Sequence, residues 1–363
     1  NGTRRANSRS AGPVAGPEAA REVYGADEAY PLDELDSRLI PLLRGAGSIY
    51  FPLGSGNDAL EALIVGVLSE ARRSRQRTGR GPGALVDPGR ILDGMRVVKD
   101  DHELTLLREA ARVTADAFRA AARAVRPGAG EWDVEAALEH AFRTGGADGF
   151  GFATIVGSGV NGTVLHYIAN SKRMEAGELV VVDAGAYRRG YNGDISRTFP
   201  VSGRFTPAQR ALYDVVLDAH DRAIAAARPG VPVAEVHRTA VRALVEGTVD
   251  LGLLDGSVDE IIETEAYRAL YPHQTSHWLG LDVHDVGDYA VDGEPVRLEP
   301  GMVLTIEPGL YIPPDFEAAP AELRGTGIRV EDDVVVTSDA PEILTAALPA
   351  GADEVEALVR GTA

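Results

Sequence analysis

Apolar residues recur along much of the chain at spacings of three and four, the pattern of helices with one buried face. The first clear example contains Leu60, Leu63, Ile64, Val67 and Leu68. The same spacing predicts four more helices, over residues 104–125, 131–143, 207–227 and 233–251. The dipeptide Pro127-Gly128 ends the first of these four, because proline and glycine both interrupt helices.

Short runs of β-branched and other apolar residues predict strands between the helices. They fall at residues 152–156, 179–183, 194–201, 302–312 and 327–336. The order helix, helix, strands therefore occurs twice. That order predicts an internally duplicated α+β domain.

The first part of the chain differs in composition from the rest. Residues 1–20 are rich in Gly, Pro, Ser and Arg, and we expect them to be poorly ordered. A Gly- and Pro-rich stretch at residues 78–94 predicts a connector between domains. We therefore expect a short N-terminal domain with its connector over residues 1–98, and a larger domain over residues 99–363.

Composition and charge narrow the classes of function. The chain has 363 residues, with 36 Lys plus Arg against 55 Asp plus Glu, and a formal net charge of −19. A surface this acidic repels phosphate, so we expect neither a nucleic-acid partner nor an anionic membrane. The sequence contains no cysteine, which excludes thiolate metal sites and a cysteine nucleophile. No apolar run approaches the roughly 20 residues that span a bilayer, and we expect a soluble, cytoplasmic protein.

Four acidic residues each end or interrupt a predicted apolar strand: Asp183, Asp194, Glu307 and Glu331. A buried carboxylate is costly unless it is paired or bound to a metal, so this pattern points to a cation. Strands also end in polar residues for no functional reason, but that explanation weakens when four such residues occur together. The ten residues between Asp183 and Asp194 are turn-rich, and they predict a hairpin that brings the two carboxylates together.

The eight histidines fall into two groups. Four lie in Gly-rich or strand-like segments and are candidate site residues: His166, His273, His277 and His284. The other four lie on predicted helices, and we interpret them as solvated or satisfied side chains: His102, His140, His220 and His237. One histidine with several carboxylates is a hard ligand set, suited to Mn, Co, Fe or Zn in a paired site.

A glycine motif raises an alternative interpretation. The segment Gly157-Ser-Gly159-Val-Asn-Gly162 follows a predicted strand, and Asp183 lies 21 residues beyond it, as in a dinucleotide-binding fingerprint. That motif requires a helix to open at the third glycine. The residues that follow, Thr-Val-Leu-His-Tyr-Ile, favour extended backbone instead. We therefore disfavour a nucleotide site here.

Taken together, these segments resemble the peptidases of family M24, the creatinase/methionine aminopeptidase or "pita-bread" superfamily, and among them the Xaa-Pro aminopeptidases. The matching segments run almost continuously from Val98 to the C-terminus. They are Ile155-Val-Gly-Ser-Gly, Leu165-His-Tyr, Val182-Asp-Ala-Gly, Gly193-Asp-Ile-Ser-Arg-Thr-Phe-Pro, Ser276-His-Trp-Leu-Gly-Leu-Asp-Val-His-Asp-Val-Gly, Glu299-Pro-Gly-Met-Val-Leu-Thr-Ile-Glu-Pro-Gly-Leu-Tyr and Gly327-Ile-Arg-Val-Glu-Asp-Asp. Several ordered segments, each carrying a required residue, are more specific than any single motif.

The resemblance implies five metal ligands: Asp183, Asp194, His277, Glu307 and Glu331. In the family pattern Asp194 and Glu331 bridge two divalent ions. Asp183 completes the coordination of one ion, and His277 with Glu307 completes that of the other. The implied metal is Mn²⁺, with Co²⁺ or Zn²⁺ as alternatives, which agrees with the oxygen-rich set derived from the residues.

The resemblance also implies an activity. A hydroxide that bridges the metals would hydrolyse the bond between an N-terminal residue and a penultimate proline. Implied catalytic residues are Glu307, which passes on a proton, His284, which steadies the oxyanion, and His166. The implied substrate-binding residues are His166, His273, His284, Tyr311 and Arg329. The implied partners are a peptide with proline at position 2 and further copies of the chain, in a dimer or tetramer.

The implied fold is a pita-bread catalytic domain with an internal pseudo-twofold, preceded by an α/β N-terminal domain. Only the latter part of that N-terminal domain, roughly residues 18–100, has a counterpart here, so we expect it to be short or partial. Gln274 and Thr275 also stand where relatives often have glycine and an apolar residue. Two alternatives stay open: a prolidase that acts on Xaa-Pro dipeptides, and a pita-bread binding module without catalysis.

Overall fold

The computed structural model describes residues 16–54 and 56–362. It divides into two compact units, with the division between Leu92 and Asp93. The domain boundary predicted from the sequence, between residues 98 and 99, falls a few residues later. Most of the segment expected to be poorly ordered lies outside the described residues, but residues 17–20 belong to a helix, so that part of the prediction was wrong.

Over its described residues, 16–54 and 56–92, the first unit contains three complete α-helices and two short strands. Its elements are α1 (Pro17–Tyr24), α2 (Leu35–Gly45), β1 (Ser48–Tyr50), α3 (Asp58–Thr78) and β2 (Ala84–Val86), and α4 (Gly89–Val97) crosses the division between the units. Helix α3 confirms the predicted helix, and the Asn57 side chain caps it by accepting a hydrogen bond from the Leu60 N–H. Strands β1 and β2 pair in parallel. The connector predicted at residues 78–94 was therefore wrong in part, since it contains β2 and the start of α4.

The second unit repeats one order of elements. Its first half contains α5 (Asp101–Ala122), α6 (Glu131–Thr144), β3 (Gly149–Phe150), β4 (Ile155–Ser158), β5 (Leu179–Ala184), β6 (Ala186–Arg188), β7 (Tyr191–Asn192) and β8 (Ile195–Pro200). Its second half contains α7 (Pro207–Ala226), α8 (Val233–Asp250), α9 (Val258–Glu263), β9 (Ala290–Val291), β10 (Glu294–Pro295), β11 (Val303–Ile306), β12 (Gly309–Ile312), β13 (Thr326–Arg329), β14 (Asp332–Val335), β15 (Glu342–Ile343) and α10 (Ala352–Arg360). Two long helices precede the strands in each half, and the second half adds the short helix α9, so the predicted α+β order is confirmed.

Capping residues set the starts of the long helices. Asp100 accepts hydrogen bonds from the first turn of α5 while Glu103 bonds back to the Asp100 N–H. Thr206 and Gln209 form the same reciprocal pair at the start of α7. Each pair satisfies amides that the helix itself leaves free. Helix α7 therefore begins at the predicted residue, and α5 begins three residues before its predicted start.

The three strands β4, β5 and β8 form an antiparallel sheet in which every residue of β5 and β8 is buried. Between β5 and β8 the chain forms the hairpin of β6 and β7, whose turn residues Arg189 and Gly190 both have positive φ. Two positive-φ residues suit a tight hairpin turn, because their twist matches that of the strands. The hairpin predicted between Asp183 and Asp194 is therefore confirmed.

The glycine motif at residues 157–162 does not open an α-helix. A short 3₁₀ helix, Gly159–Thr163, follows β4 instead. This turn packs backbone to backbone on β13, since a Cβ placed on Gly327 would lie 1.8 Å from the carbonyl oxygen of Gly162. The glycines therefore serve close packing, and the α-helix that a dinucleotide-binding motif requires does not begin here.

Among the described residues, none of the helices combines the length and the apolar character required to cross a membrane.

Candidate metal centre

Two aspartates lie at the ends of paired antiparallel strands. Asp183 is the penultimate residue of β5, and Asp194 directly precedes β8. Both are buried, and in each the Oδ1 atom has no hydrogen-bond partner among the described residues. Buried carboxylate oxygens require a compensating partner, and a metal ion supplies one.

Two glutamates face each other in the second half of the same unit. Glu307 lies between β11 and β12, and Glu331 lies between β13 and β14. The pairing of β11 with β14 stops at Ile306, and the pairing of β12 with β13 starts at Gly309. The register therefore places the two glutamates opposite each other, at the point where both pairings break.

His277 is held in one ring tautomer by its own neighbour. Its Nδ1 lies 3.0 Å from the carbonyl oxygen of Trp278. Since a carbonyl only accepts, Nδ1 carries the proton and Nε2 presents a lone pair. Nε2 lies 3.5 Å from Asp194 Oδ2 and 3.7 Å from Glu307 Oε1. This is the form in which histidine binds a metal.

Asp194, Glu331 and His277 converge closely enough to share a cation. One ligand atom each from Asp194, His277 and Glu331 lies within 4.8 Å of the other two. Burial raises the pKa of Asp194 and of Glu331 well above its usual value, and Asp183 next to Asp194 adds to the effect. Burial also raises the pKa of Glu307 to about 7. Acidic groups crowded in this way require cations to stay ionised together, so these residues fit divalent metal.

Every nitrogen of the Arg329 guanidinium donates a hydrogen bond inside the site. Nη2 donates to Asp183 Oδ2 at 2.7 Å, and Nε donates to the hydroxyl of Ser196 at 2.8 Å. The Ser196 hydroxyl in turn donates to Glu331 Oε2 at 2.7 Å. Arg329 therefore orients Asp183 directly and Glu331 through Ser196, while its predicted contact with substrate stays a prediction.

A second chain of hydrogen bonds leads from Arg329 to His273. Nη1 of Arg329 donates to the Tyr311 hydroxyl at 2.9 Å, and His273 Nδ1 lies 2.8 Å from the carbonyl oxygen of Gln274. Nδ1 therefore carries the proton, and Nε2 accepts from the Tyr311 hydroxyl at 2.9 Å. Burial lowers the pKa of His273 to about 3, which keeps the ring neutral.

His284 and His166 approach the predicted metal ligands from two loops. The rings of His284 and His277 meet edge-on, with centroids 4.3 Å apart. Burial, with His277 and His166 close by, lowers the pKa of His284 and favours its neutral form. His166 is exposed. The structure therefore brings these predicted catalytic histidines to the same side of the acidic cluster.

A cavity of about 880 Å³ opens onto this cluster. All five predicted metal ligands line it, and so do His166, His273, His284 and Arg329. Tyr311, expected in the wall, is not among the lining residues; it is buried and forms hydrogen bonds with two that are, His273 and Arg329. The rest of the lining is largely apolar and includes Phe152, Ile155, Leu165, Val283 and Tyr289. A mostly apolar pocket with a few convergent polar groups is typical of a substrate site.

A buried network lies behind Glu331. Arg197 Nη1 donates to the carbonyl oxygen of Glu331 at 2.6 Å, and its Nη2 donates to Asp332 Oδ1 at 2.8 Å. Burial alone would raise the pKa of Asp332, but Arg197 and His220 hold it at about 2. His220 is one of the histidines interpreted as solvated or satisfied, and it is buried with Nε2 3.0 Å from Asp332.

Two residues of the site were missed in the sequence. Ser196 lies two residues after Asp194 on a strand, and residues at that spacing share a face, so this signal was present. His237 lies on α8 and lines the cavity. Nothing in the helical pattern around His237 distinguishes it from a satisfied surface histidine.

Comparison with known proteins identifies relatives over most of the chain. The family model described as metallopeptidase family M24 matches residues 105–338. The Xaa-Pro aminopeptidase of Escherichia coli K12 is 43% identical over 344 residues, which cover 95% of this chain and 77% of the relative.

Solved structures agree with the sequence match. The aminopeptidase PepP of Pseudomonas aeruginosa has a TM-score of 0.94 and 42% identity, over 98% of this chain and 80% of that one. The zinc-substituted E. coli aminopeptidase P in complex with product has a TM-score of 0.92 and 43% identity, over 99% of this chain and 81% of that one. The chain therefore belongs to metallopeptidase family M24 and has its pita-bread fold, with a short N-terminal domain.

Proposed function

We propose that the chain is an aminopeptidase that releases the N-terminal residue from peptides with proline at position 2. The observation that carries this proposal is the convergence of four carboxylates and His277 at the end of one largely apolar cavity. The names of the relatives support the same activity, since they are Xaa-Pro aminopeptidases and aminopeptidase P.

We further propose that five residues hold two divalent ions, with Mn²⁺ the first candidate and Co²⁺ or Zn²⁺ the alternatives. Asp194 and Glu331 would contact both ions, Asp183 one of them, and His277 with Glu307 the other. The donor set of four carboxylates and one imidazole supports a hard metal. When bound, such ions make water more acidic and polarise a carbonyl group.

Glu307 is the proposed proton carrier. Its Oε1 faces His277 Nε2 at 3.7 Å and its Oε2 faces His273 Nδ1 at 3.7 Å, so the carboxylate lies between the acidic cluster and the substrate wall. From this place it can take a proton from the attacking water and pass it to the leaving proline nitrogen. Removing a proton carrier of this kind typically costs about 10²–10⁴ in rate.

His284 and His166 are proposed to bind the reacting peptide. The neutral His284 ring touches the His277 ring, so its N–H can reach an oxygen beside the scissile bond and stabilise the developing negative charge. His166 lines the same cavity from its own loop and can contact the substrate there.

The ring of His273 is proposed to form the wall for proline, with Tyr311 and Arg329 fixing its orientation. The hydrogen-bond chain from Arg329 through Tyr311 leaves His273 neutral and rigid. A bond to proline has no N–H, so recognition requires a shaped surface in place of that hydrogen bond.

A substrate-length series tests the proposal. We expect Mn²⁺-dependent cleavage of Xaa-Pro-Yaa tripeptides and longer peptides at rates well above that for the dipeptide Xaa-Pro. The matched inactive control is Asp194→Asn, which keeps the shape of the side chain and removes its charge. Cleavage confined to Xaa-Pro would show a prolidase instead. If no peptide of the series is cleaved with Mn²⁺, and the parent protein behaves like Asp194→Asn, the result would favour the non-catalytic binding module.

Two further predictions concern assembly and location. They are a dimeric or tetrameric state and a cytoplasmic location, and both stay predictions.

A further inference from the structure

Thr275 stands where the family pattern often has an apolar residue, and the structure gives its hydroxyl two partners. The residue is fully buried. Its Oγ1 lies 2.7 Å from the Tyr271 hydroxyl and 2.8 Å from His237 Nδ1. A three-membered hydrogen-bonded chain therefore connects the phenol, the hydroxyl and the imidazole.

The donor and acceptor of each hydrogen bond in this series follow from the protons available. Tyr271 is buried, and among the described residues its hydroxyl has no other hydrogen-bond partner than Thr275. If Thr275 donated to Tyr271, the phenol proton would be buried without an acceptor, which is unfavourable. Tyr271 therefore donates to Thr275, and Thr275 donates to His237 Nδ1. The proton of the His237 ring then lies on Nε2.

The ring of His237 is neutral in this arrangement. Burial, with a smaller contribution from Arg268, lowers the pKa of His237 to about 4. The ring is therefore a single-proton donor at neutral pH. Its Nε2 has no hydrogen-bond partner within the part of the chain that the structure describes, and the residue lines the cavity together with Val233 and Ala234 of α8.

A row of aromatic rings locates His237 relative to the metal-binding residues. The Tyr311 and His273 ring centroids are 5.5 Å apart, those of His273 and Tyr271 are 4.7 Å apart, and those of Tyr271 and His237 are 6.0 Å apart. Tyr311 adjoins Arg329 and the acidic cluster. His237 therefore lies at the far end of this row, beyond the proposed wall for proline.

We propose that His237 is a specificity-determining residue whose Nε2–H donates a hydrogen bond to a main-chain oxygen of the residue that follows the proline. The assignment rests on the proposed function, because it takes the direction of the bound peptide from it. A peptide that ends at the proline has no residue to offer this oxygen. His237, oriented by Thr275 and Tyr271, therefore favours substrates of three or more residues.

Matched amide substrates test this role. We expect His237→Leu to raise KM for Xaa-Pro-Yaa-NH₂ about threefold to tenfold, the effect of losing one neutral hydrogen bond, with kcat within about twofold. KM for Xaa-Pro-NH₂ should not change. His237→Gln should recover part of the loss, because its amide N–H can occupy the place of Nε2–H. The control is His140→Leu on the exposed face of α6, which should leave both substrates unaffected.

Equal effects of His237→Leu on the two amides, or no effect on either, would overturn the proposal while the parent enzyme still cleaves both. Loss of cleavage in the parent enzyme would instead contradict the proposed function. The ring tautomer can be read without any activity, from the ¹⁵N chemical shifts of histidine-labelled protein with His237→Gln used for assignment. We expect the Nε2–H form in the parent protein and a mixture in Thr275→Val, whereas an Nδ1–H form in the parent protein would contradict the inference.

Discussion

At the scale of single residues, one serine hydroxyl connects an arginine to a carboxylate that is a proposed metal ligand. Ser196 accepts from Arg329 Nε and donates to Glu331 Oε2, and it also pairs with Asp183 across the β5–β8 register. Groups of this kind hold a ligand in one orientation before the metal arrives. Ser196 therefore connects proposed ligands that come from the two halves of the second unit.

We predict that Ser196→Ala weakens metal binding about 10–100-fold. The Glu331 carboxylate loses the donor that fixes Oε2, and Arg329 Nε loses its acceptor. Calorimetric titration of the metal-free protein with Mn²⁺ measures the effect without a substrate. Ser37→Ala, on an exposed turn of helix α2, is the control and should bind Mn²⁺ like the parent protein. Unchanged affinity in Ser196→Ala would contradict the proposed role.

Single residues also differ in whether the sequence alone identifies them as part of the site. Asp183, Asp194, Glu307 and Glu331 were found because a carboxylate at the end of an apolar strand is locally anomalous. His237 was not found, because the orientation of its ring depends on Thr275, which lies 38 residues away in sequence. A single helix pattern carries no record of such a partner.

At the scale of elements, a buried ion-pair cluster anchors the segment that carries His277 and His284. Lys99 Nζ lies 3.2 Å from Asp285 Oδ2, with both side chains buried, and Arg96 contacts the other oxygen of the same carboxylate. The Asp285 N–H donates to the carbonyl oxygen of Trp278 at 2.9 Å, which closes the segment into a loop. The cluster therefore holds both histidine-bearing ends of this loop.

We predict that Lys99→Met lowers the free energy of unfolding by about 3 kcal/mol, because it leaves a buried carboxylate with only Arg96 as a cationic partner. Urea unfolding measures this change. The chain offers a matched control in Lys172→Met, since Lys99 and Lys172 are its two lysines. The Lys172–Glu178 pair is partly exposed, so its loss should cost less than about 1 kcal/mol. If the two variants lose similar amounts of unfolding free energy, burial is not what makes the Lys99–Asp285 pair important for stability.

Elements differ in how well local pattern predicts them. Helix α7 (Pro207–Ala226) was predicted within one residue, because its own cap and apolar face define it. Strand β2 (Ala84–Val86) was read as connector, because three residues carry little pattern and gain stability only from pairing with β1. Short strands are decided by their partners, which the local sequence does not contain.

At the scale of the whole molecule, the net charge of −19 and the buried carboxylates destabilise the metal-free fold, because like charges repel one another. We predict that Mn²⁺ at about 100 times its dissociation constant stabilises the fold by about 2.7 kcal/mol, which corresponds to roughly 3 °C in Tm. Differential scanning calorimetry with and without Mn²⁺ measures this shift.

Asp194→Asn provides the matched control for the metal effect. Without Mn²⁺ it should melt at least as high as the parent protein, because it removes one buried charge from the cluster. With Mn²⁺ it should lose most of the upward shift. An equal shift in both proteins would show that the ion acts elsewhere than at Asp194.

The sequence by itself determined the element order, the long helices and the identity of the acidic residues and histidines that could bind metal. These features depend on local periodicity and on polar residues placed against the apolar pattern, and both are readable without a partner. The tertiary structure alone decided that Glu307 and Glu331 face each other, that Tyr311 bonds to His273 without lining the cavity, and that Thr275 orients His237. Those contacts join residues far apart in the chain, and only packing brings their atoms within hydrogen-bonding distance.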